Sequence, residues 1–455
     1  MTHYDLALIG TGSGNTIVTK QFSGWRVAIL EEATAFGGTC LNVGCIPTKM
    51  FVFPADIART TQGGPDLGVD TSYAGARWPE IRDRIFGRID PISSSGRAYR
   101  QRLPNIDLYE GHATFVDDHT LDTGTGEQIT ADQVVIAAGS RVSLPDIPGL
   151  AEVDFHTSDT VMRLEELPER MVIVGGGYVA AEFAHVFSTL GTQVTQVHRG
   201  RYLLRDHDET ISRQFTELAG RQWDVRLGIT PSAVARRGDT TVVTLPDGSE
   251  LETDVLLMAT GRVSNADRLG LEHTSIAMED DGRVRVDEFQ RATVEGIWAL
   301  GDVSSEHQLK HVANLEADTV QHNLLHPDDL VDCDHRFVPS VVFTHPQIAS
   351  VGLTSQAARE QGVDHVTGTH DYADIAYGWA MESPPGEHFV KLLATRDREE
   401  LLGAHIIGPQ ASLLLQPLVQ AMSLGNSPQE MARGQYWPHP SMAEVVENAL
   451  LEFIT

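Results

Sequence analysis

Two segments of this chain repeat a pattern that few folds accommodate: an apolar run, a glycine-rich turn, a stretch of helical character, then a second apolar run. The first is YDLALIGTGSGN leading to WRVAILEE, with turn glycines Gly10, Gly12 and Gly14. The second is MVIVGGGYVAAEFAHVFSTLG leading to TQVTQVHRGR, with Gly175 and Gly177. A strand that enters a tight glycine turn and then a helix lets the backbone approach a pyrophosphate, held by the N–H groups and dipole of the helix N-terminus. The pattern therefore predicts two dinucleotide sites in Rossmann-like units. In the first, Glu31 ends the second strand, where a carboxylate accepts hydrogen bonds from the ribose of an adenine dinucleotide. Its third fingerprint position is Asn15 rather than glycine. In the second, Ala180 takes the helix-packing position, and His198, Arg199, Arg201 and Arg205 stand where an acid would favour NAD. Cations there pair with a 2′-phosphate, so NADPH is expected over NADH.

The rest of the chain falls around these two units. Residues 108–138 alternate in short runs that predict a β meander ending in QVVIAAGS, and ETDVLLMATGR closes the second unit. DDGRVRVDE and GIWALGDVSS read as strand-rich pieces that complete the first sheet. They place Asp302 just past a buried strand, available to the ribityl hydroxyls of a flavin. LKHVANLEADTVQHN reads as a helix whose start, Leu309 to His311, stabilises negative charge on a reduced flavin ring. The acidic stretch HPDDLVDCDHRF reads as a boundary. From Val338 short strands alternate with helical stretches, as in an α+β domain.

Cys40 and Cys45, in GGTCLNVGCIPTK, follow the first fingerprint by about one βαβ unit, which points to a thiol couple beside a flavin. On an ideal helix, positions five apart lie roughly 7.5 Å apart along the axis, too far for a relaxed disulfide. A bridge between them requires a distorted backbone, which Gly44 permits and Pro47 promotes. Strained disulfides are the readily reduced ones. Cys333 is left over and expected free. Three cysteines in 455 residues are too few for a secreted disulfide scaffold. No apolar run approaches the ~20 residues that cross a bilayer, and the N-terminus enters a strand pattern at once, so the expectation is a cytoplasmic protein without membrane contact. A formal charge of −29 argues against nucleic acid as a partner. No metal site is expected.

Together GGTCLNVGCIPTK, the two fingerprints, ATGR, ALGD and the C-terminal HPSMAE resemble the class I flavoprotein disulfide reductases along the whole chain. The resemblance implies an α/β fold of two Rossmann-like dinucleotide-binding domains plus a C-terminal α+β dimerisation domain. It assigns 1–149 to FAD, 150–265 to NAD(P)H, 266–335 to a central segment completing the FAD domain, and 336–455 to the interface. It implies a homodimer with active sites shared between subunits, in which hydride passes from NAD(P)H to FAD and electrons then reach a disulfide and a small-molecule disulfide substrate. By the same resemblance Cys40 attacks substrate and Cys45 faces the flavin. Lys49 and Glu182 form an ion pair beside the flavin N5, and Tyr178 gates the nicotinamide pocket. Gly38, Thr39, Ala113, Gly139 and Gly261 join the cofactor-binding positions. His439, from the other subunit, is the acid/base, oriented by Glu444; Ser441 to Glu444 is also a helix capping box. Within the family, GTGSGN and CLNVGCIPTKMFVFPADIA are most similar to the branch that reduces mycothione, the disulfide of mycothiol. The expected activity is NADPH-dependent reduction of that low-molecular-weight disulfide, with a dihydrolipoamide dehydrogenase component or a glutathione reductase as alternatives.

Overall fold

Strands Thr2–Ile9 and Val27–Leu30 are the apolar runs of the first unit, and their side chains are buried on both faces, as parallel strands between covering layers require. In the computed structural model, which describes residues 1–454, they centre a seven-stranded sheet. Its order is Ile106–Tyr109, Val27–Leu30, Thr2–Ile9, Gln128–Ile136, Thr120–Asp122, Thr114–Asp117, with Ile297–Ala299 parallel to the end of Gln128–Ile136. Successive residues alternate between two cores. Ala7 and Ile9 pack with Ala28 and Val134, whereas Leu6 and Leu8 pack with Ile29 and Val135. This sheet belongs to a unit made of residues 1–48, 80–143 and 261–335; a second unit holds 49–79, 144–260 and 336–455.

The second unit contains a parallel sheet ordered Asp224–Leu227, Gln193–His198, Arg170–Val174, Val255–Met258 and a three-stranded antiparallel meander over 233–253. It also contains a five-stranded antiparallel sheet ordered Ser340–Val342, Ile348–Gly352, Leu401–Ile407, Phe389–Thr395, His365–Asp371. Helices Ala411–Leu424 and Glu444–Leu451 cover the last of these sheets and share its core. The edge strand HVTGTHD has half-exposed side chains and carries no apolar run, so it has no signature in the sequence. Among the described residues no helix is long and apolar enough to cross a membrane.

Two expectations are corrected here. The stretch after the first glycine turn is not an α-helix; it forms two short 3-10 turns, Ser13–Thr16 and Lys20–Phe22. From the end of the first to the start of the second runs Thr16-Ile17-Val18-Thr19, four β-branched residues whose restricted χ1 disfavours the α-helix. Ile17, Val18 and Phe22 are instead pressed into the core beside Leu6 and Leu8. The close-packing role lost at Asn15 passes to Gly14, where a Cβ would lie 2.5 Å from Ala137 Cβ. Buried Arg100 holds the irregular segment, donating to Asn15 Oδ1 at 2.9 Å, Asn15 O at 2.5 Å and Val18 O at 2.7 Å. The second correction concerns DDGRVRVDE, which adds no strand to the sheet; only an isolated bridge pairs Met278 with Val284.

Arg100→Met keeps the stem but orphans those carbonyls, and a buried unsatisfied acceptor costs about 1–3 kcal/mol. Urea denaturation is expected to give a destabilisation in that range, with the loss confined to the midpoint and the slope unchanged.

Candidate active site

Helix Gly38–Asn42 carries Cys40 and ends at Val43, whose φ of −143° breaks the ladder; a new helix, Cys45–Gly63, begins at the second cysteine. The backbone between the cysteines therefore leaves the helix, as their spacing demands. Gly44 makes the fold-back possible, since a Cβ there would lie 3.0 Å from Thr39 O and 3.4 Å from Cys40 Cα. Thr48 secures the new helix, its N–H and hydroxyl both donating to Gly44 O at 3.1 and 2.7 Å. Buried Asn42 secures the old one, donating to Phe36 O at 3.1 Å and Gly38 O at 3.0 Å. The two cysteine side chains are in hydrogen-bond contact with each other. That bond and burial push the Cys40 thiol well up, while Lys310 and the Ile46 backbone pull the other way. Lys310 opens the helix Lys310–Leu325 and donates to Ser13 Oγ at 2.6 Å. Leu309 is the N-cap of that helix, its N–H donating to His307 O at 2.8 Å.

A cleft in the same unit is lined by Gly10, Glu31, Glu32, His112, Ala113 and Arg268. Gly10 has φ +97°, and a Cβ on it would lie 2.4 Å from Ala137 O, so only glycine fits. Gly12 and Gly38 lie so close that a Cβ on Gly38 would stand 2.6 Å from Gly12 Cα. This bare-backbone cradle fits a pyrophosphate. Glu31 fixes the turn, Oε2 accepting from Thr11 N at 2.9 Å and from the Thr11 hydroxyl and Oε1 from Ala33 N at 2.8 Å, so that Oε1 keeps acceptor capacity. Glu32, His112 and Arg268 close one side: Arg268 donates both Nη groups to Glu32 at 3.1 Å, and His112 Nδ1 lies 2.8 Å from it. These three were not foreseen, because residues 32, 112 and 268 share no local motif.

Gly139 and Gly261 end the QVVIAAGS and ATGR motifs, and the strands that follow, Ser140–Val142 and Arg262–Ser264, pair antiparallel. Asp302 Oδ2 accepts from Ser140 Oγ at 2.6 Å, with Arg262 Nε at 3.8 Å, leaving Oδ1 for a ligand hydroxyl. Behind this turn, buried Glu316 accepts from Gly301 N at 2.6 Å and from His335 Nε2 at 3.0 Å. His335 also lies 3.5 Å from Cys333 Sγ, and these bonds raise its pKa to about 10.

In the second unit, Gly175 ends its strand and Gly177 caps the helix Tyr178–Leu190. Tyr178 is 41% exposed at its start, whereas Glu182, one turn on, is buried. Lys49 Nζ donates to both Glu182 oxygens, at 2.8 and 2.7 Å, and Phe343 N adds a bond at 2.9 Å. Arg199, Arg201 and Arg205 are exposed, but His198 does not join them. Its ring fills the space beside Gly176 and Gly200, where added Cβ atoms would lie 2.4 Å from it. Burial, with Arg205 and Arg199 nearby, holds its pKa below the ordinary value. The cationic cluster is three arginines, not four groups.

His439 Nδ1 lies 2.7 Å from Glu444 Oε1, while Glu444 Oε2 accepts from Ser441 N at 3.0 Å. One carboxylate thus orients the imidazole and braces the helix start. The bond to His439 leads the causes that keep Glu444 below the usual carboxylate range. The His439 side chain is 70% exposed. No described group of three or more His, Cys, Asp or Glu could hold a metal.

The family model described as pyridine nucleotide-disulphide oxidoreductase matches residues 4–317, and the corresponding dimerisation domain matches residues 338–450. The mycothione reductase of Mycobacterium tuberculosis (strain ATCC 25618 / H37Rv) is 54% identical, over 99% of each chain. The glutathione reductase of Burkholderia cepacia is 32% identical, over 99% of this chain and 98% of its own. Among solved structures, the HOCl-induced flavoprotein disulfide reductase RclA from Escherichia coli superposes with a TM-score of 0.85, at 26% identity and 99% coverage of both chains.

The His335 pair has a pH signature. Its folded pKa, about 10, exceeds the unfolded value of about 6.5, so its stabilisation is complete below the lower figure and lost as pH rises through the upper one. Unfolding free energy is expected to fall across this window, and His335→Gln to flatten the fall; equal slopes in both proteins would contradict the pairing.

Proposed function

Because the chain belongs to the pyridine nucleotide-disulphide oxidoreductases, we propose that it reduces mycothione to mycothiol, drawing electrons from NADPH through FAD to the Cys40–Cys45 pair. The carrying observation is the helix break that brings the two thiols into hydrogen-bond contact. Identity of 54% to a mycothione reductase against 32% to a glutathione reductase favours mycothione among the disulfides. The arginine cluster favours NADPH, since three exposed cations follow the strand where a ribose-binding acid would stand.

FAD would be held by Gly10, Gly12, Glu31, Gly38, Thr39, Ala113, Gly139 and Asp302, with Gly261 and Leu309 flanking. NADPH would be held by Gly175, Gly177, Arg199 and Arg205, with Tyr178 at the nicotinamide. The assigned segments are 1–149 for FAD, 150–265 for the nicotinamide nucleotide, 266–335 completing the first, and 336–455 for the dimer. Bound there, a flavin would supply two-electron transfer between the nicotinamide and the disulfide. Lys49, paired with Glu182, would set the charge near it.

Cys40, as thiolate, attacks one sulfur of the substrate disulfide, forming a mixed disulfide and expelling the first thiolate. His439 gives that leaving group a proton from Nε2, with Glu444 holding Nδ1. Cys45 then attacks the Cys40 sulfur, expels the second thiolate, and restores the Cys40–Cys45 bond. Each turnover consumes one NADPH and one proton and delivers two thiols. The exposed imidazole and the matched dimerisation domain support a shared site, with His439 serving the thiols of the partner subunit.

Assayed with NADPH, the purified protein is expected to reduce mycothione far faster than glutathione disulfide or lipoamide; preference for either of the others would refute the substrate. Cys40→Ser should abolish turnover yet leave flavin bound and reducible by NADPH. Arg199→Leu with Arg205→Leu should raise KM for NADPH at least tenfold and leave KM for NADH nearly fixed, since a charge-assisted contact is worth about 1.5–3 kcal/mol.

A further inference from the structure

The arginine loop between strand Gln193–His198 and helix Glu209–Gly220 is tied down at several points, Gly228 N donating to Gly200 O at 3.0 Å and Leu203 N to Thr216 Oγ1 at 2.9 Å among them, and two further ties differ in origin. One lies within the nucleotide fold: Leu204, at φ 53°, donates its N–H to Gly176 O at 2.7 Å. The other is Asp208, which has no exposed surface. Its Oδ1 caps the helix through Thr210 N at 2.9 Å and accepts from Lys391 Nζ at 2.8 Å, while Oδ2 accepts from Ser355 N at 2.9 Å. Lys391 lies on strand Phe389–Thr395 and Ser355 opens the short helix Ser355–Glu360, both within the matched dimerisation domain. Gln356 adds two bonds to the same tether, to His207 O at 2.7 Å and from Glu209 N at 3.1 Å.

An N-cap alone does not need this arrangement, because a solvated Ser or Asn caps as well as Asp. Burying a carboxylate and an ammonium costs free energy that their attraction often fails to recover, and the best-attested use of such pairs is to fix one arrangement of the chain. Here the arrangement fixed is that of the loop: Arg205 stands three residues before Asp208, and Arg199 and Arg205 both act on the same His198 ring. A guanidinium–phosphate contact depends on geometry as well as charge. We propose that Asp208 and Lys391 are positioning residues through which the C-terminal domain holds the arginine loop in the conformation that takes the 2′-phosphate of NADPH. This rests on the NADPH reading above.

The test uses the full-length, flavin-loaded protein. Asp208→Asn, which keeps the cap, and Lys391→Met, which keeps the stem, should each raise KM for NADPH about tenfold, the scale of one lost charge-assisted contact. KM for NADH and kcat at saturating nucleotide should stay within about twofold. By calorimetry the Kd of 2′,5′-ADP should rise in parallel while that of ADP does not. Lys391→Arg should retain the wild-type selectivity, and Gln356→Ala, a milder cut in the same tether, should shift it by about threefold. Equal rises for both nucleotides mark a merely structural role and overturn the proposal, as does unchanged selectivity in Asp208→Asn and Gln356→Ala. If Arg199→Leu abolishes a preference that Asp208→Asn preserves, only this inference falls; if the wild type has no preference for NADPH, the nucleotide reading falls with it.

Discussion

Cys40 and Cys45 meet only because the chain abandons the helix between them. A continuous helix would hold them roughly 7.5 Å apart along its axis; ending one helix at Val43 and starting another at Cys45 folds that distance away. The device uses few residues. Gly44 gives the room, Thr48 binds Gly44 O at the break, Asn42 ties the first helix to Phe36 O and Gly38 O, and Pro47 removes a donor that would otherwise need a partner.

A second theme recurs in three places. In an acidic chain, a buried carboxylate holds the backbone N–H of a turn and is balanced by one cation: Glu316 holds Gly301 with His335, Glu182 holds Phe343 with Lys49, and Asp208 holds Ser355 with Lys391. Each carboxylate is nearly or wholly inaccessible, so its charge must be met within the protein. The arrangement gives flexible turns a fixed geometry, which substrate alignment and nucleotide selectivity both require.

Much of this was legible in the residues alone. Apolar runs next to glycine turns locate the parallel strands, and the cysteine spacing by itself requires a broken helix. One local signal opposes the pattern around it: the four β-branched residues of TIVT disfavour an α-helix after GTGSGN. His198 looked like a cation by its neighbours, but its ring is packed beside Gly176 and Gly200, and burial keeps it neutral. Lys310, Arg100 and the Glu32–His112–Arg268 cluster act across separations of 80 residues or more, where spacing carries no information.

The central claim is that electrons leave through the sulfur pair. Anaerobic reductive titration of the flavin-loaded protein, counting electron pairs per flavin, tests it most directly. The account predicts two pairs, one stored on the flavin and one on the cysteines, with two new thiols at the end point and a single pair in Cys45→Ser. A wild-type protein that saturates at one pair, its cysteines unchanged, would contradict it.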